Sequence, residues 1–404
     1  MKKVKIAHII TMLELGGAQQ NTLYTIEHLD RTFFEPVLIC GAGGILDEEA
    51  KRLPVKVYFV PHLIREIKPV YDFIAFLEIL RILFIEKPDM VHTHSSKAGV
   101  LGRLAAWLTN KICDVQPQIK IIHTFHGFGF NDYQKPSVKK TFVFSEKIAG
   151  KITDKFIFVS RDNTTTASGY EIGEENKYIL IRSGIKISRY RNVPVSERLR
   201  DELGIKDNER IITTIGPFKP QKNIIDFIKI ARILAEQSST IPELKSLKFL
   251  VIGDGEQHKI LESEIKNSKL TEKVILLGWR KDIPEILART DIFVMTSLWE
   301  GLPRAVVEAM VSGKPVVAYA VDGVREIVKD SLTGYLVTPK DVKTAVEKIS
   351  FLLQKPEWIK QLGKAGEKII DESFDIDYMV RQQEKLYLEL SGRLVEKLEE
   401  WGRF

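Results

Sequence analysis

Two carboxylates eight residues apart, Glu300 and Glu308, bracket the segment Gly301-Leu302-Pro303. They belong to IFVMTSLWEGLPRAVVEAMVSGKPVVA, residues 292–318, which reads as strand, loop, helix, glycine turn and strand. Gly301 permits close backbone approach, Pro303 suits the first helical position, and the amides starting there point outward from the strand end. That geometry binds a phosphate. The two carboxylates need not share a helix face, but they can meet different parts of one extended ligand, one taking a sugar and the other a ribose diol. A carboxylate accepts two hydrogen bonds from a diol, and such charge-assisted bonds are the stronger kind.

A second anion site is suggested by Gly216-Pro217-Phe218-Lys219-Pro220-Gln221-Lys222-Asn223, a further strand-to-helix junction with two lysines. Gly16 and Gly17 follow the first strand and open a helix, as a tight turn or a diphosphate-facing loop both require. His126 stands at the carboxyl end of a strand, in Ile121-Ile122-His123-Thr124-Phe125-His126-Gly127, whereas His123 lies within that strand. His92 and His94 have the spacing of a same-face pair on a strand. They lack an evident third ligand, so no metal is expected there and a place near an acceptor is the alternative. Gly253-Asp254-Gly255 follows a strand but lacks the third glycine and the distant acidic residue of a dinucleotide fingerprint.

Glu300-Gly301-Leu302-Pro303 with Glu308, then Ala309-Met310 and Gly313-Lys314-Pro315-Val316-Val317, resembles the E-x7-E signature of the retaining nucleotide-sugar glycosyltransferases of family 4. Those enzymes have the B-type fold of two Rossmann-like domains. Gly323 with Glu326-Ile327-Val328, and Thr333-Gly334-Tyr335-Leu336-Val337 with Pro339, continue the pattern, and the resemblance covers most of the chain.

The resemblance implies catalytic roles for Lys222, Glu300 and His126. Glu300 lies by the donor sugar hydroxyls, Glu308 binds the ribose, and the backbone of Gly301, Leu302 and Pro303 holds the diphosphate, the N–H groups coming from the non-proline residues. Lys222 matches the lysine that stabilises the departing diphosphate, and His126 matches a histidine near the transferred sugar. Pro217 stands where the family has an arginine, so Lys219 is the candidate for the missing charge. Gly16 and Gly17 match the loop facing the diphosphate and the acceptor. Gly253, Gly255 and Arg280 match loops that flank the base and ribose. No metal, no cofactor and no protein nucleophile is implied. Asp375-Ile376-Asp377 has the D-x-D spelling of metal-dependent A-type transferases, but it precedes a helical pattern and reads as a helix N-cap.

These residues need a scaffold, and apolar β-branched runs alternating with amphipathic segments supply one. Strands are expected at 4–10, 35–40, 55–60, 90–93, 119–124 and 155–159, with helices at 20–29, 71–85, 98–108 and 138–152. The rhythm restarts after a polar stretch near 188–208, with strands at 210–215, 247–252, 274–277, 292–295, 316–318 and 334–336. The fold class is therefore α/β, with two doubly wound domains facing across a cleft. Expected boundaries are 1–190 for an acceptor-side domain, 191–373 for a nucleotide-sugar-binding domain, and 374–404 for a helical segment packing along or back toward the first domain. Ligands of such sheets bind beyond the carboxyl ends of the strands.

The composition of the 404 residues, 44% hydrophobic and 28% charged, is that of a globular protein with a large core. Cys40 and Cys113 cannot form a disulfide framework and fit as small buried hydrophobes in a reducing compartment. The N-terminal apolar run is too short for a signal peptide and reads as a buried strand; no transmembrane helix is expected. Net charge is +6, all of it in residues 1–190, and residues 103–155 carry nine basic against four acidic side chains. Lys135, Lys139, Lys140, Lys147 and Lys151, with Val138, Phe142, Ile148 and Ile152 interleaved, make an amphipathic basic helix. That pattern suits an anionic membrane surface through 135–152, or a domain helix with its apolar side inward.

The expected function is transfer of a sugar from a nucleotide diphosphate donor, UDP favoured, to the hydroxyl of a sugar or lipid-linked acceptor in cell-surface polysaccharide or glycolipid assembly. The expected location is cytoplasmic and peripheral at the inner membrane face, with no nucleic-acid partner. The competing readings are a silent nucleotide-sugar-binding subunit, a B-type epimerase and a phosphorylase; no pyridoxal-holding lysine motif supports the last.

Overall fold

The computed structural model describes residues 2–113 and 117–393. The chain divides into two units, residues 1–184 with 376–404 and residues 185–375. The divisions at 184/185 and 375/376 differ slightly from the expected 190/191 and 373/374. The reason is local: the Ile185 amide donates to the Phe374 carbonyl (2.9 Å) and the Ile187 amide to Asp375 Oδ2 (3.3 Å), which ties both ends of the second unit together.

The first unit contains a parallel sheet of β1 (Val4–Met12), β2 (Phe34–Gly41), β3 (Lys56–Phe59), β4 (Met90–His94), β5 (Lys120–Phe125), β6 (Lys155–Phe158) and β7 (Tyr178–Leu180), in the order β3-β2-β1-β4-β5-β6-β7. Six strands were expected here. The seventh, β7, is three residues long and lies at the edge, too short for a periodicity to announce it. β1 is buried along nearly all of its length, the condition of a parallel strand covered on both faces, and its sequence VKIAHIITM is accordingly apolar almost throughout.

The second unit contains β8 (Arg210–Ile215), β9 (Leu247–Ile252), β10 (Val274–Leu276), β11 (Ile292–Met295), β12 (Val316–Tyr319) and β13 (Gly334–Val337), in the order β10-β9-β8-β11-β12-β13. In each sheet the strand order reverses once, between β1 and β4 and between β8 and β11. Such switch points are where crossover helices diverge and where open α/β sheets bind their ligands, beyond the strand carboxyl ends.

The helix Ile376–Leu390 belongs to the first unit, where Ile376, Met379, Val380, Leu386 and Tyr387 join Val4, Ile6, Met90 and Ile122 in one core cluster. Polar contacts fix its register: Tyr24 donates to Asp377 Oδ1 (2.5 Å), and the Asp30 amide donates to Glu384 Oε1 (2.7 Å). Asp375 accepts from the Ile187 amide and Asp377 from Tyr24, so the D-x-D spelling serves as structural bonding. The remainder of the expected C-terminal helical segment, 394–404, lies outside the described residues.

Cys40 is buried in β2, but Cys113 is exposed at the last turn of the helix Ser96–Cys113, not a buried hydrophobe as expected. No described helix is long and apolar enough to cross a membrane. The basic region also differs from expectation at its first member. Arg103 is fully buried and donates to Glu146 Oε2 (2.5 Å) and the Gly99 carbonyl (2.7 Å), so this pair adds nothing to the surface charge. On the helix Pro136–Lys151, Val138, Phe144 and Ile148 are exposed, whereas Phe142 packs against the cluster of Phe125, Phe130, Phe156 and Phe158.

Candidate functional site

In the second unit, β8 and β11 are neighbours at the switch point, and the loops beyond their carboxyl ends carry the residues singled out above. Lys222 Nζ forms an ion pair with Glu300 Oε1. The two loops are stitched by Leu298 N to Gln221 O (2.8 Å), Gln221 Nε2 to Trp299 O (2.8 Å) and Thr296 Oγ1 to Asn223 O (2.9 Å). Asn223 takes a left-handed conformation (φ 48°) that starts the helix Ile224–Gln237 directly after Lys222. Asn and Asp tolerate that region better than other side chains, so the turn depends on this residue type.

The Glu300 amide donates to Asp322 Oδ2 (2.6 Å), which aims the Glu300 peptide from the loop after β12. Sequence reasoning missed Asp322, although it adjoins Gly323, itself part of the signature. Pro303 is extended (φ −76°, ψ 101°) and caps the helix Arg304–Val311 from outside; it is not the first helical residue, as had been expected. Its carbonyl accepts from the Val306 amide (3.1 Å), and the first helical amides lie directly after it. Glu308 is on that helix, 8% exposed, with Arg304 Nη2 at 3.8 Å from its carboxylate. It also faces the Tyr190 hydroxyl, whose pKa is raised by burial first and by the Glu308 charge second. Tyr190 is a second residue that the sequence did not reveal.

Gly253 and Gly255 have a packing reason of their own. A Cβ on Gly253 (φ +132°) would meet the Gly216 carbonyl oxygen at 2.0 Å, and one on Gly255 (φ +156°) the Phe218 oxygen at 2.9 Å. Loop lies on loop there, joined by Phe218 N to Asp254 O (2.9 Å) and Gly253 N to Gly278 O (2.9 Å). Arg280 donates from Nε and Nη2 to Asp282 (2.8 and 2.6 Å) and from Nη1 to Glu202 (2.5 Å), so its guanidinium is held by two carboxylates of its own unit. Lys219 is half-buried in the turn, its carbonyl accepting the Lys222 amide at 2.9 Å; the lysine beside Glu300 is Lys222.

In the first unit, Gly16 is the extended N-cap of the helix Gly17–His28, and its carbonyl accepts from the Gln20 amide (3.0 Å). His126 lies just beyond β5, and its Nε2 is 3.2 Å from His94 Nδ1. The sheet brings His8 of β1 opposite His92 of β4, giving the pair a third histidine that sequence spacing did not show. One nitrogen from each of His8, His92 and His94 lies within 4.8 Å of the others, the spacing of a possible metal triad. His92, however, already uses Nδ1 with the Tyr387 hydroxyl (2.6 Å) and Nε2 with Thr124 Oγ1 (2.7 Å). Metal ligation there would break one of two short buried bonds, so the donor set fits a hydrogen-bonded core better.

Residues 15–189 match the family described as Glycosyltransferase Family 4, and residues 195–369 the family described as Glycosyl transferases group 1. The chain is 33% identical over 346 residues to the UDP-Gal:alpha-D-GlcNAc-diphosphoundecaprenol alpha-1,3-galactosyltransferase of Escherichia coli, covering 85% of this chain and 86% of that one. It is 26% identical to the N,N'-diacetylbacillosaminyl-diphospho-undecaprenol alpha-1,3-N-acetylgalactosaminyltransferase of Campylobacter jejuni, over 77% of this chain and 80% of that one. Its fold is similar to that of Anabaena HepE in complex with UDP-glucose, with TM-score 0.78, 21% identity, and coverage of 98% of this chain and 99% of that one. The relatives named here are transferases, which sets aside the silent-subunit and epimerase readings. The chain is an enzyme that belongs to the family 4, group 1 glycosyltransferases with two Rossmann-like domains of the B-type fold.

Proposed function

We propose that this enzyme takes a sugar from a UDP-sugar and transfers it, with retention, to a hydroxyl of a diphosphate-lipid-linked acceptor sugar. The observation that carries the reading is the Lys222–Glu300 pair at the switch point of the second unit, next to the amino end of the helix Arg304–Val311. Relatives named for UDP-galactose and for diphosphoundecaprenol-linked acceptors support the choice of nucleotide and acceptor class.

In this reading Glu308 holds the ribose diol and the amides of Gly301, Leu302 and Arg304 face the diphosphate, Pro303 having no N–H to give. Glu300 meets hydroxyls of the donor sugar, and Lys222 moves its charge from Glu300 toward the leaving phosphate. Breaking the glycosidic bond places negative charge on the diphosphate, and a preorganised cation with helix amides answers that charge without reorganisation. Lys219 lines the diphosphate, and Gly253, Gly255 and Arg280 shape the loops around the nucleoside. Gly16, Gly17 and His126 of the first unit serve the acceptor. The reaction draws on no metal and no cofactor.

The enzyme works at the inner, anionic face of a membrane through the helix Pro136–Lys151. Exposed Val138, Phe144 and Ile148 beside Lys135, Lys140 and Lys151 support this. The test of the catalytic reading is UDP release from UDP-galactose, UDP-glucose and their N-acetyl analogues, with and without a diphosphate-lipid-linked GlcNAc acceptor. Acceptor-dependent release with one donor is expected. Release from none of them, with no stabilisation by UDP, would sink the reading.

A further inference from the structure

The buried carboxylate of Asp226, in the second unit, collects three donors. Its Oδ2 accepts from Asn223 Nδ2 (2.7 Å) and from the Tyr319 hydroxyl (2.9 Å), and its Oδ1 accepts from Lys229 Nζ (2.9 Å). Asp226 is 4% exposed and Tyr319 1%. A carboxylate so far withdrawn from water is tolerated when its lone pairs are bonded, and these groups bond them. Burial first and the Asp226 charge second raise the pKa of the Tyr319 hydroxyl, so the phenol keeps its proton and donates it.

Two of the three bonds are local. Asn223 is the N-cap of the helix Ile224–Gln237 and Asp226 lies in its first turn, where an acidic side chain bonded back to the cap residue is ordinary helix-terminus chemistry. Lys229 follows Asp226 by three positions on the same helix. The third bond is not local. Tyr319 ends β12, 93 positions away, and no helix cap requires a phenol from another strand.

That bond reaches the backbone of Lys222. Asn223 is left-handed, its side chain is bonded to Asp226, and its carbonyl accepts from the Asp226 amide (3.0 Å) and from Thr296 Oγ1 (2.9 Å). Because Lys222 directly precedes it, the conformation held at Asn223 sets the direction in which the lysine leaves the turn. The same strand end serves Glu300, since Asp322, three residues past Tyr319, accepts the Glu300 amide (2.6 Å). The end of β12 and the loop after it therefore hold both members of the Lys222–Glu300 pair, the lysine through Tyr319, Asp226 and Asn223 and the glutamate through Asp322.

We propose that Tyr319 and Asp226 are positioning residues for Lys222, tying its turn to β12 so that the ammonium stands where the leaving phosphate needs it. The phosphate rests on the function proposed above; the tie between β12 and the Lys222 turn does not.

The experiment compares the full chain with Tyr319→Phe, which removes one hydroxyl and keeps the buried ring. Turnover with UDP-galactose and a diphosphate-lipid-linked GlcNAc acceptor should fall about threefold to tenfold, the size of one lost hydrogen bond. In the Lys222→Ala background the same change should cost less than about twofold, because the group it positions is gone. Asp226→Asn, which leaves one oxygen for three donors, should lower turnover at least as far as Tyr319→Phe, and adding Tyr319→Phe to it should cost less than about twofold more. Equal losses from Tyr319→Phe with and without Lys222 would mark a general structural effect and overturn the proposal, as would unchanged turnover in Tyr319→Phe. Hydrogen–deuterium exchange of peptides spanning 219–226 in the free protein reads the tie without a donor. Tyr319→Phe should speed exchange there severalfold, and unchanged exchange would overturn the proposal. Inactivity toward every UDP-sugar, or full activity of Lys222→Ala, would overturn the function, and the exchange result would still decide the tie.

Discussion

Lys222 and Glu300 stand 78 positions apart in the chain, yet their charged groups form an ion pair. Both side chains are largely withdrawn from solvent, so their attraction is screened less than that of a surface pair.

Lys222→Ala is expected to lower turnover by about 10²-fold or more, the cost of losing one preorganised electrostatic stabiliser. Lys219→Ala should cost much less. Steady-state kinetics of the two variants check the ranking, and a more damaged Lys219 variant would reverse the assignment of the cation.

Glu308→Ala should weaken binding of UDP as well as of UDP-sugars, because the ribose is common to both. Glu300→Ala should leave UDP affinity within a few-fold and lower kcat. Calorimetric titration with UDP, alongside kcat measured separately, distinguishes the two carboxylates. Unchanged UDP affinity in Glu308→Ala would remove the ribose assignment.

Acid should destabilise the first unit through its histidines. Burial, with a smaller contribution from Arg31, pushes His8 down to about 3, and burial pushes His126 down to about 4; His92, His94 and His123 are lowered in the same sense. Above the ordinary value of 6.5 the rings are neutral in both folded and unfolded chains, and the effect is absent. Below it the unfolded chain takes up protons that the native state refuses, so stability falls progressively until the native values are reached. Urea midpoints measured from pH 8 to pH 5 should decline, and replacing His123 by a neutral isostere should flatten the slope.

Glu146→Ala leaves the Arg103 guanidinium buried without its countercharge, although the Gly99 carbonyl bond remains. Removing one partner of a buried pair costs about 3–5 kcal/mol. Equilibrium urea unfolding should register a loss of that size, whereas Lys147→Ala, which breaks the surface pair with Glu171, should change stability by less than about 1 kcal/mol.

Vesicle sedimentation should show salt-sensitive binding to anionic but not zwitterionic lipid. Each lysine near such a surface contributes about 1 kcal/mol, so Lys140→Glu with Lys151→Glu should reduce pelleting strongly. Phe144→Ser should weaken it further. No lipid-dependent pelleting at low salt would leave the helix Pro136–Lys151 as an ordinary domain helix.

Element types and order were legible from the residues alone. Continuous apolar runs announced strands covered on both faces, all but the short edge strand β7, and Gly301 to Pro303 between Glu300 and Glu308 announced a strand-to-helix junction. These features are local, set by neighbours within a few positions of each other. Three-dimensional partnership is not local. Strand order placed β8 beside β11 and so brought Lys222 to Glu300, and it placed β1 beside β4 and so brought His8 to His92 and His94. The same packing withdrew Arg103 from a surface that charge counting had assigned it to, and put Asp322 behind Glu300. Spacing along a chain encodes which face of its own element a side chain occupies, but which other element covers that face follows from the burial of the whole apolar surface. The tertiary structure alone therefore decided which charges meet, which histidine rings are hydrogen-bonded to one another, and which lysine stands beside Glu300.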